Sequence, residues 1–439
     1  MKRPNPSTVL RGKGERSRNF KLITLGCKVN QYETQVIREN LIKAGFREFK
    51  DKPPADIYVI NTCTVTHKAD KESLYYINRS YRENPKAKII VTGCLAELDK
   101  KVISGLKGNS QIVKNKDKYR IAGLLKGKGF NNESGITGFY KHTRAFLKIQ
   151  DGCDNFCSYC KVPLVRGPSR SRPLNEIVNE AKALAKNGFK EIVLTGICLG
   201  SYGKDLSMGK GRGIDLVRVI EELEKIRRLM RIRLSSIEAG DVTDELIAGM
   251  AKSKKLCRHL HIPIQSGDDN ILKAMNRKYS HQDYLGLIRK IKKTIPDIAV
   301  TTDCLVGFPG EKEDNFRNTA DLVRKIMPLK VHIFPYSERK GTLAYDFKDK
   351  TPSAALRDRM IYLETIANKC ALEFQRKFIN KKMDVLIEGI IKDNPGFWQG
   401  YTGNYLKVMV KSPKDIKNRV LSVRLKEISR GYFVAKIMD

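Results

Sequence analysis

Short, largely apolar runs alternate along the chain with longer stretches whose apolar residues recur at three- and four-residue spacing. These are the patterns of buried strands and of helices. Phe20 to Leu25 (FKLITL) reads as a strand, Gly26 to Asn30 as a turn, and Gln31 to Ala44 as a helix with Val36, Ile37, Leu41 and Ile42 on one face. Ile57 to Ile60 then reads as a strand, with Lys68 to Arg82 helical after it, and Lys88 to Val91 as a third, with a helix from about Glu97. Strands alternating with helices predict a parallel sheet joined by right-handed crossovers.

Lys114 to Thr143 interrupts the rhythm with Lys, Gly and Asn and predicts a last short helix running into a flexible basic linker. Its Gly-Lys-Gly pieces have no strand before them and no Gly-Lys-Ser/Thr ending, so they are not phosphate-binding loops. From Ala145 the alternation resumes. Strands are expected at Ala145 to Gln150, Glu191 to Thr195, Arg231 to Ser235, His259 to Ile264, Ile298 to Asp303 and Val331 to Pro335, with helices between them, as at Asn175 to Asn187 and Leu216 to Ile226. Six units are too few to close an eightfold barrel, so an open, partial barrel is predicted. A long helical stretch, Ser353 to Phe378, leads to short β runs from Asp384 onward, which suggest a small all-β barrel.

Composition adds a partner. Lys plus Arg number 84 against 48 Asp plus Glu, a formal net charge of +36, which points to a polyanion rather than to solubility alone. No run approaches the length of a membrane span, and the basic first twenty residues lack the apolar stretch of a secretory signal, so a cytoplasmic location is expected. Ten cysteines suit that compartment as metal ligands or buried thiols.

The cysteines carry the chemistry. Phe146 to Pro173 (FLKIQDGCDNFCSYCKVPLVRGPSRSRP) places Cys153, Cys157 and Cys160 in a CxxxCxxC loop just past a strand and the Asp151-Gly152 turn. A closed zinc site needs a fourth ligand nearby, and none follows before Cys198. Three thiolates on a cubane iron–sulfur cluster leave one iron open, and this is the favoured reading over zinc or reduced core thiols. Cys27, Cys63 and Cys94 each sit just beyond the carboxyl end of a predicted strand, where a parallel sheet brings distant residues together. A second three-thiolate cluster is favoured there over three buried thiols.

Polar and glycine residues gather at the strand ends of the second region: Thr195 and Gly196, Ser235 and Ser236 with Glu238, Gln265, Ser266 and Gly267, and Asp303 with Gly307 and Gly310. Together they predict a small-molecule site on the same edge as the cysteine loop. His259 and His261 read as satisfied core histidines, and Cys198, Cys257, Cys304 and Cys370 as buried thiols.

The CxxxCxxC loop with Tyr159 before its third cysteine resembles the signature of radical S-adenosylmethionine (SAM) enzymes. Pro163, Arg166-Gly167 and Ser171-Arg172-Pro173 narrow the resemblance to the methylthiotransferase family. TLGCKVNQYET around Cys27, NTCTVTHKAD around Cys63 and VTGCLAE around Cys94 resemble that family's amino-terminal domain, the first two most closely in the branch acting on threonylcarbamoylated tRNA. Leu95 and Glu97 depart from the aromatic and the glutamine usual there, and Cys198 stands where the family usually has histidine. GYTGNYLKVMV at Gly400 to Val410 resembles the RNA-binding TRAM domain, and twelve Lys/Arg against six Asp/Glu follow from Lys381 onward.

The resemblance covers about Phe20 to Val434. It implies a basic tail (1–19), a methylthiotransferase domain (20–128), a linker (129–143), a partial (β/α)6 radical SAM barrel (144–375) and a TRAM-like barrel (380–439). It also implies two 4Fe-4S clusters, an auxiliary one on Cys27, Cys63 and Cys94 and a radical SAM one on Cys153, Cys157 and Cys160. SAM is expected near Tyr159, Thr195, Gly196, Ser236, Glu238, Gln265, Asp303 and Gly307. The implied reaction is methylthiolation of carbon 2 of N6-threonylcarbamoyladenosine beside the anticodon of tRNA, with an electron donor such as flavodoxin or ferredoxin. The rival readings are the same chemistry on isopentenyladenosine or on a ribosomal-protein aspartate, and, from another class, a non-catalytic iron–sulfur or zinc protein that binds RNA.

Overall fold

The computed structural model describes residues 18–49, 54–98, 108–127, 129–206 and 213–438. Almost all of the expected basic tail lies outside the described residues.

A parallel five-stranded sheet comes first, in the order β2-β1-β3-β4-β5, from strands Asn19–Thr24 (β1), Arg47–Glu48 (β2), Ile57–Thr62 (β3), Lys88–Gly93 (β4) and Ser110–Ile112 (β5). The central strand β3 is buried throughout because both faces are covered. On one face Ile37 and Leu41 of helix α1 (Lys28–Lys43) pack with Ile57 and Val59; on the other Ile77 of helix α2 (His67–Glu83) packs with Tyr58 and Ile60. Thr66 caps α2, its hydroxyl accepting from the Ala69 amide at 3.2 Å. Each crossover returns through the same edge, so Cys27, Cys63 and Cys94 stand at the carboxyl ends of β1, β3 and β4, the last opening helix α3 (Cys94–Leu98). The two edge strands β2 and β5 are too short to leave a pattern in the sequence.

Residues 129–143 form no helix or strand, yet the expected flexible connection is pinned on both sides. Ile136 and Phe139 are buried, the Ile136 amide donates to Glu180 at 2.9 Å, and the Thr137 amide donates to Glu39 of α1 at 2.8 Å.

The six strands predicted next are present: Ala145–Lys148 (β6), Glu191–Thr195 (β9), Arg231–Leu234 (β10), His259–His261 (β11), Ala299–Val306 (β12) and Lys330–Pro335 (β13), with a two-stranded antiparallel flap of Gln150–Asp151 (β7) and Arg170–Ser171 (β8). They form two parallel sheets, β10-β9-β6 and β11-β12-β13, joined through single bridges such as Ser236 with His261. The arrangement is an open half-barrel with helices outside. Strand β11 stops short of its predicted end because Pro263 has no amide hydrogen to donate, whereas β12 runs beyond Asp303 to Val306. Among the described residues no helix is long and apolar enough to cross a membrane.

The helix Ser353–Arg376 leads to a closed five-stranded barrel, β14-β15-β16-β18-β17 (Lys382–Ile390, Phe397–Thr402, Lys407–Lys411, Tyr432–Ile437, Val420–Ser429). Its turn at 402–406 plugs the floor of the half-barrel. Arg231 donates to the Tyr401 carbonyl at 2.9 Å, and Arg233 to the Gly403 and Thr402 carbonyls at 3.0 and 3.2 Å. The Tyr405 ring lies 4.7 Å from His259. Both arginines pair with Glu191 at the foot of β9, Arg233 at 2.7 Å. Burial raises the Glu191 carboxyl, but Arg233, Arg144 and Arg231 outweigh it and hold the group below the usual range.

Candidate active site

The Cys153 loop is built by backbone geometry. Gly152 has φ +76°, and a β-carbon there would fall 1.9 Å from the Pro168 carbonyl oxygen, so only glycine fits where the flap folds over. The Cys153 amide donates to the Gly167 carbonyl at 3.1 Å and the Cys160 amide to the Cys157 carbonyl at 2.9 Å, which curls the three thiols to one side. Ser158 anchors the loop from below, its amide on the Met275 carbonyl and its hydroxyl on that of Ala274. Arg277 donates to the Cys157 sulfur at 3.3 Å while held by Glu238 and Tyr279. Burial pushes the Cys160 thiol up to about 12, and a hydrogen bond from Cys198 draws Cys153 down.

The other three cysteines come together although up to 67 residues separate them (94 − 27). A β-carbon on Gly26 would lie 2.8 Å from the Cys63 sulfur, which puts Cys63 against the turn that carries Cys27. Burial pushes the Cys63 thiol up to about 11, and the nearby Cys94 and Cys27 thiols push the same way. Burial also raises Cys94, opposed by the cations Arg166, which hydrogen-bonds it, and Lys118.

A buried charge network joins the two sets. Glu33 of α1, 1% exposed, meets Arg166 at 2.7 Å, Lys118 at 2.6 Å and Lys148 at 3.0 Å. Arg166 and Lys148 also reach Asp151, two residues before Cys153, at 3.2 and 3.0 Å. Burial raises the Glu33 carboxyl, but the three cations outweigh it and hold the group well below the usual range. Three cations face two carboxylates here, leaving one positive charge buried beside Cys94, and the Arg166 Nε has no partner among the described residues. That excess suits a thiolate-bound anionic group, so the surroundings of both cysteine sets fit iron–sulfur clusters. A second lock lies on the far side: Arg339 donates to the Thr64 carbonyl at 2.8 Å and pairs with Asp70 at 2.6 Å, fastening the Cys63 loop to the segment after β13.

Comparison with known proteins matches two family models to the chain. The Radical SAM superfamily model matches residues 147–323, and the model described as Uncharacterized protein family UPF0004 matches residues 19–114. The threonylcarbamoyladenosine tRNA methylthiotransferase MtaB of Bacillus subtilis is 37% identical, over 95% of this chain and 96% of that protein. The protein of the same name from Thermotoga maritima is 35% identical over 94% and 95%. The chain belongs to the radical SAM methylthiotransferase family. The tRNA-2-methylthio-N(6)-dimethylallyladenosine synthase of Clostridium tetani is also similar, 34% identical over 92% and 93%. Among solved structures, the radical SAM methyltransferase TsrM from Kitasatospora setae superposes with a TM-score of 0.54 at 14% identity, covering 75% of this chain and 77% of that one, a likeness of fold alone. Family membership brings SAM and iron–sulfur chemistry with it.

In this methylthiotransferase the residues expected to surround SAM occupy distinct settings. Tyr159 packs edge-on to Phe308, with ring centroids 6.4 Å apart, just below the loop. The buried Thr195 hydroxyl donates to the Val193 carbonyl of its own strand, and Gly196 leaves room for the Gln150 side chain. Ser236 bridges to β11, and Glu238 is engaged by Arg277 beside Cys157. Gln265, at φ +65°, donates its amide to the Asp303 carbonyl at 2.8 Å. The Asp303 side chain pairs with His261 at 3.2 Å, and the Gly307 amide donates to Glu311 at 2.7 Å. Cys198 is buried, but it lies against Cys153 rather than in an apolar core, with Ser201 and Asp241 at 3.1 and 3.6 Å. Arg277, Glu33, Lys118 and Lys148 left no signal in the sequence, because nothing local distinguishes a charged residue that will be buried.

Proposed function

We propose that this chain methylthiolates carbon 2 of N6-threonylcarbamoyladenosine at position 37 of tRNA. The observation that carries the reading is the union of two three-thiol sets through one buried charge network, in a chain similar along its length to proteins named for that reaction. Cys153, Cys157 and Cys160 would hold the radical SAM cluster and Cys27, Cys63 and Cys94 the auxiliary cluster. When bound, these groups supply reductive SAM cleavage for C–H activation and the sulfur for transfer.

The chain's own residues then have definable work. Arg277, fixed by Glu238 and Tyr279, sets the orientation of Cys157. Arg166 fixes Asp151 and the Cys94 loop at once, so both thiol sets keep one relative position. Tyr159, Thr195, Gly196, Ser236, Gln265 and Gly307 form the rim at which SAM would lie, whereas Asp303, also expected there, is turned to His261. In this reading 20–128 carries the auxiliary cluster, 144–375 the radical chemistry, and 380–439 is the TRAM-like module, whose basic surface contacts RNA phosphates. A flavodoxin- or ferredoxin-like donor supplies electrons, and the reaction takes place in the cytoplasm.

Mass spectrometry of nucleosides from tRNA of cells lacking the protein tests this. The methylthio group should vanish from threonylcarbamoyladenosine and persist on isopentenyladenosine. An unchanged profile would overturn the assignment.

A further inference from the structure

Strands β11, β12 and β13 pair in a register that sets His261 beside Thr301 and Asp303 beside His332. Because side chains alternate along a strand, these four lie on one face. The opposite face of β12, with Val300, Cys304 and Val306, packs into the core shared with the outer helices, so the four look into the half-barrel. Below them Ala299 joins the core of the carboxyl-terminal barrel, and above them Leu305 packs in the cluster that includes Tyr159. The polar set therefore sits between the plugged floor and the Cys153 loop.

Its members are close and incompletely paired. His261 Nε2 lies 3.2 Å from the Asp303 carboxylate, and His261 Nδ1 lies 2.9 Å from the Thr301 hydroxyl, which also meets His259 at 3.0 Å. The His261 and His332 rings are 5.7 Å apart, and ligand atoms of His261, Asp303 and His332 all fall within 4.8 Å of one another. The His261 and Asp303 side chains are 17% and 24% exposed, so the set opens onto the barrel interior. These polar side chains therefore line the half-barrel interior on the side of the Cys153 loop.

We propose that His261, Asp303 and His332 recognise the threonylcarbamoyl substituent of the substrate nucleoside and reject an isopentenyl group in its place. This rests on the tRNA reading given above. A threonylcarbamoyl group carries a carboxylate, a hydroxyl, a carbonyl and N–H groups. The His332 ring N–H matches the carboxylate or carbonyl, and Asp303, held by His261, accepts from the hydroxyl or a carbamoyl N–H. An isopentenyl group has no polar atom, so it would cover these side chains and leave them unpaired, which is what makes a hydrogen-bonding site discriminate strongly.

The test uses the full chain with both clusters reconstituted, and two tRNAs that differ only in the substituent. Wild-type enzyme should prefer the threonylcarbamoylated tRNA, and His332→Phe should reduce that preference about tenfold or more, mainly through KM. His332→Gln, which keeps a hydrogen-bonding group, should retain part of it. Iron content and tRNA binding by gel shift check that each variant is folded. If wild-type enzyme prefers isopentenylated tRNA, the substrate reading itself fails. If it prefers threonylcarbamoylated tRNA and both variants keep its KM and preference, the pocket assignment alone fails. Two imidazoles and a carboxylate this close could also ligate a divalent ion. One equivalent of zinc or manganese retained after dialysis against chelator, and lost in His332→Gln, would overturn substituent recognition in favour of a metal site.

Discussion

The two cysteine sets reach similar ends by opposite routes. Cys153, Cys157 and Cys160 lie within eight residues and are presented by a loop whose shape depends on Gly152 and a few backbone hydrogen bonds. Cys27, Cys63 and Cys94 have no local relation and meet only because three parallel strands end on one edge. A loop-borne site can be lost by one strained residue while the fold survives. A topology-borne site depends on its sheet and also on the turns that end its strands, such as the one at Gly26.

The sharpest separation comes from the thiols themselves. Cys157→Ala should abolish SAM cleavage and remove about four irons per chain, whereas Cys63→Ala should lose a similar amount of iron yet keep uncoupled SAM cleavage without thiolation. Iron and sulfide analysis with chromatographic assay of SAM products measures both, and equal loss of cleavage in the two variants would erase the division. Next, Arg166→Leu removes the guanidinium shared by both sides and its hydrogen bonds to Glu33, Asp151 and Asn30, while Lys118 and Lys148 still balance the two carboxylates. A loss of about 2–4 kcal/mol in denaturant unfolding is expected, as for buried hydrogen bonds to charged groups left unmade. A loss under about 1 kcal/mol, the scale of a surface pair, would deny the network its joining role.

Gly152→Ala should then deplete the Cys153 set of iron and leave the Cys27 set loaded. Its β-carbon would collide with Pro168 backbone, while Gly26→Ala, at φ +89° and 2.8 Å from Cys63, should do the reverse. Electron paramagnetic resonance of each reduced variant distinguishes the two clusters. The smallest effect concerns pH. Burial pushes the Glu311 carboxyl up to about 7 from 4.5, despite its pairing with Arg359. The folded state thus favours the protonated form, and that contribution to stability is full below about 4.5 and lost as pH rises through 7. Glu311→Gln should flatten the corresponding slope of thermal midpoint against pH, and an unaltered slope would exclude Glu311 as its source.

Much of this was legible in the residues alone. Apolar periodicity identified three strands of the first sheet and all six of the half-barrel, because buried parallel strands leave continuous apolar runs. Both cysteine sets were legible too, one by spacing and the other by its repeated place after a strand. What escaped depends on distance. Arg166 and Glu33 are 133 positions apart, and no periodicity marks either as buried. Arg277 resembles any surface arginine until Cys157 stands beside it. His261 reads as a core histidine in isolation; only strand register reveals Asp303 and His332 as its neighbours.

The plugged floor carries a mechanical consequence. Arg231 and Arg233 hold the 402–406 turn by its main-chain carbonyls, and Arg144 stacks over both Tyr401 and Tyr405, so the last barrel is bolted to the chassis rather than hung from a leash. An RNA gripped on that barrel would have its reach measured by a rigid ruler. With the barrel held in this way, a stacked base would reach the site by swinging out of its stack.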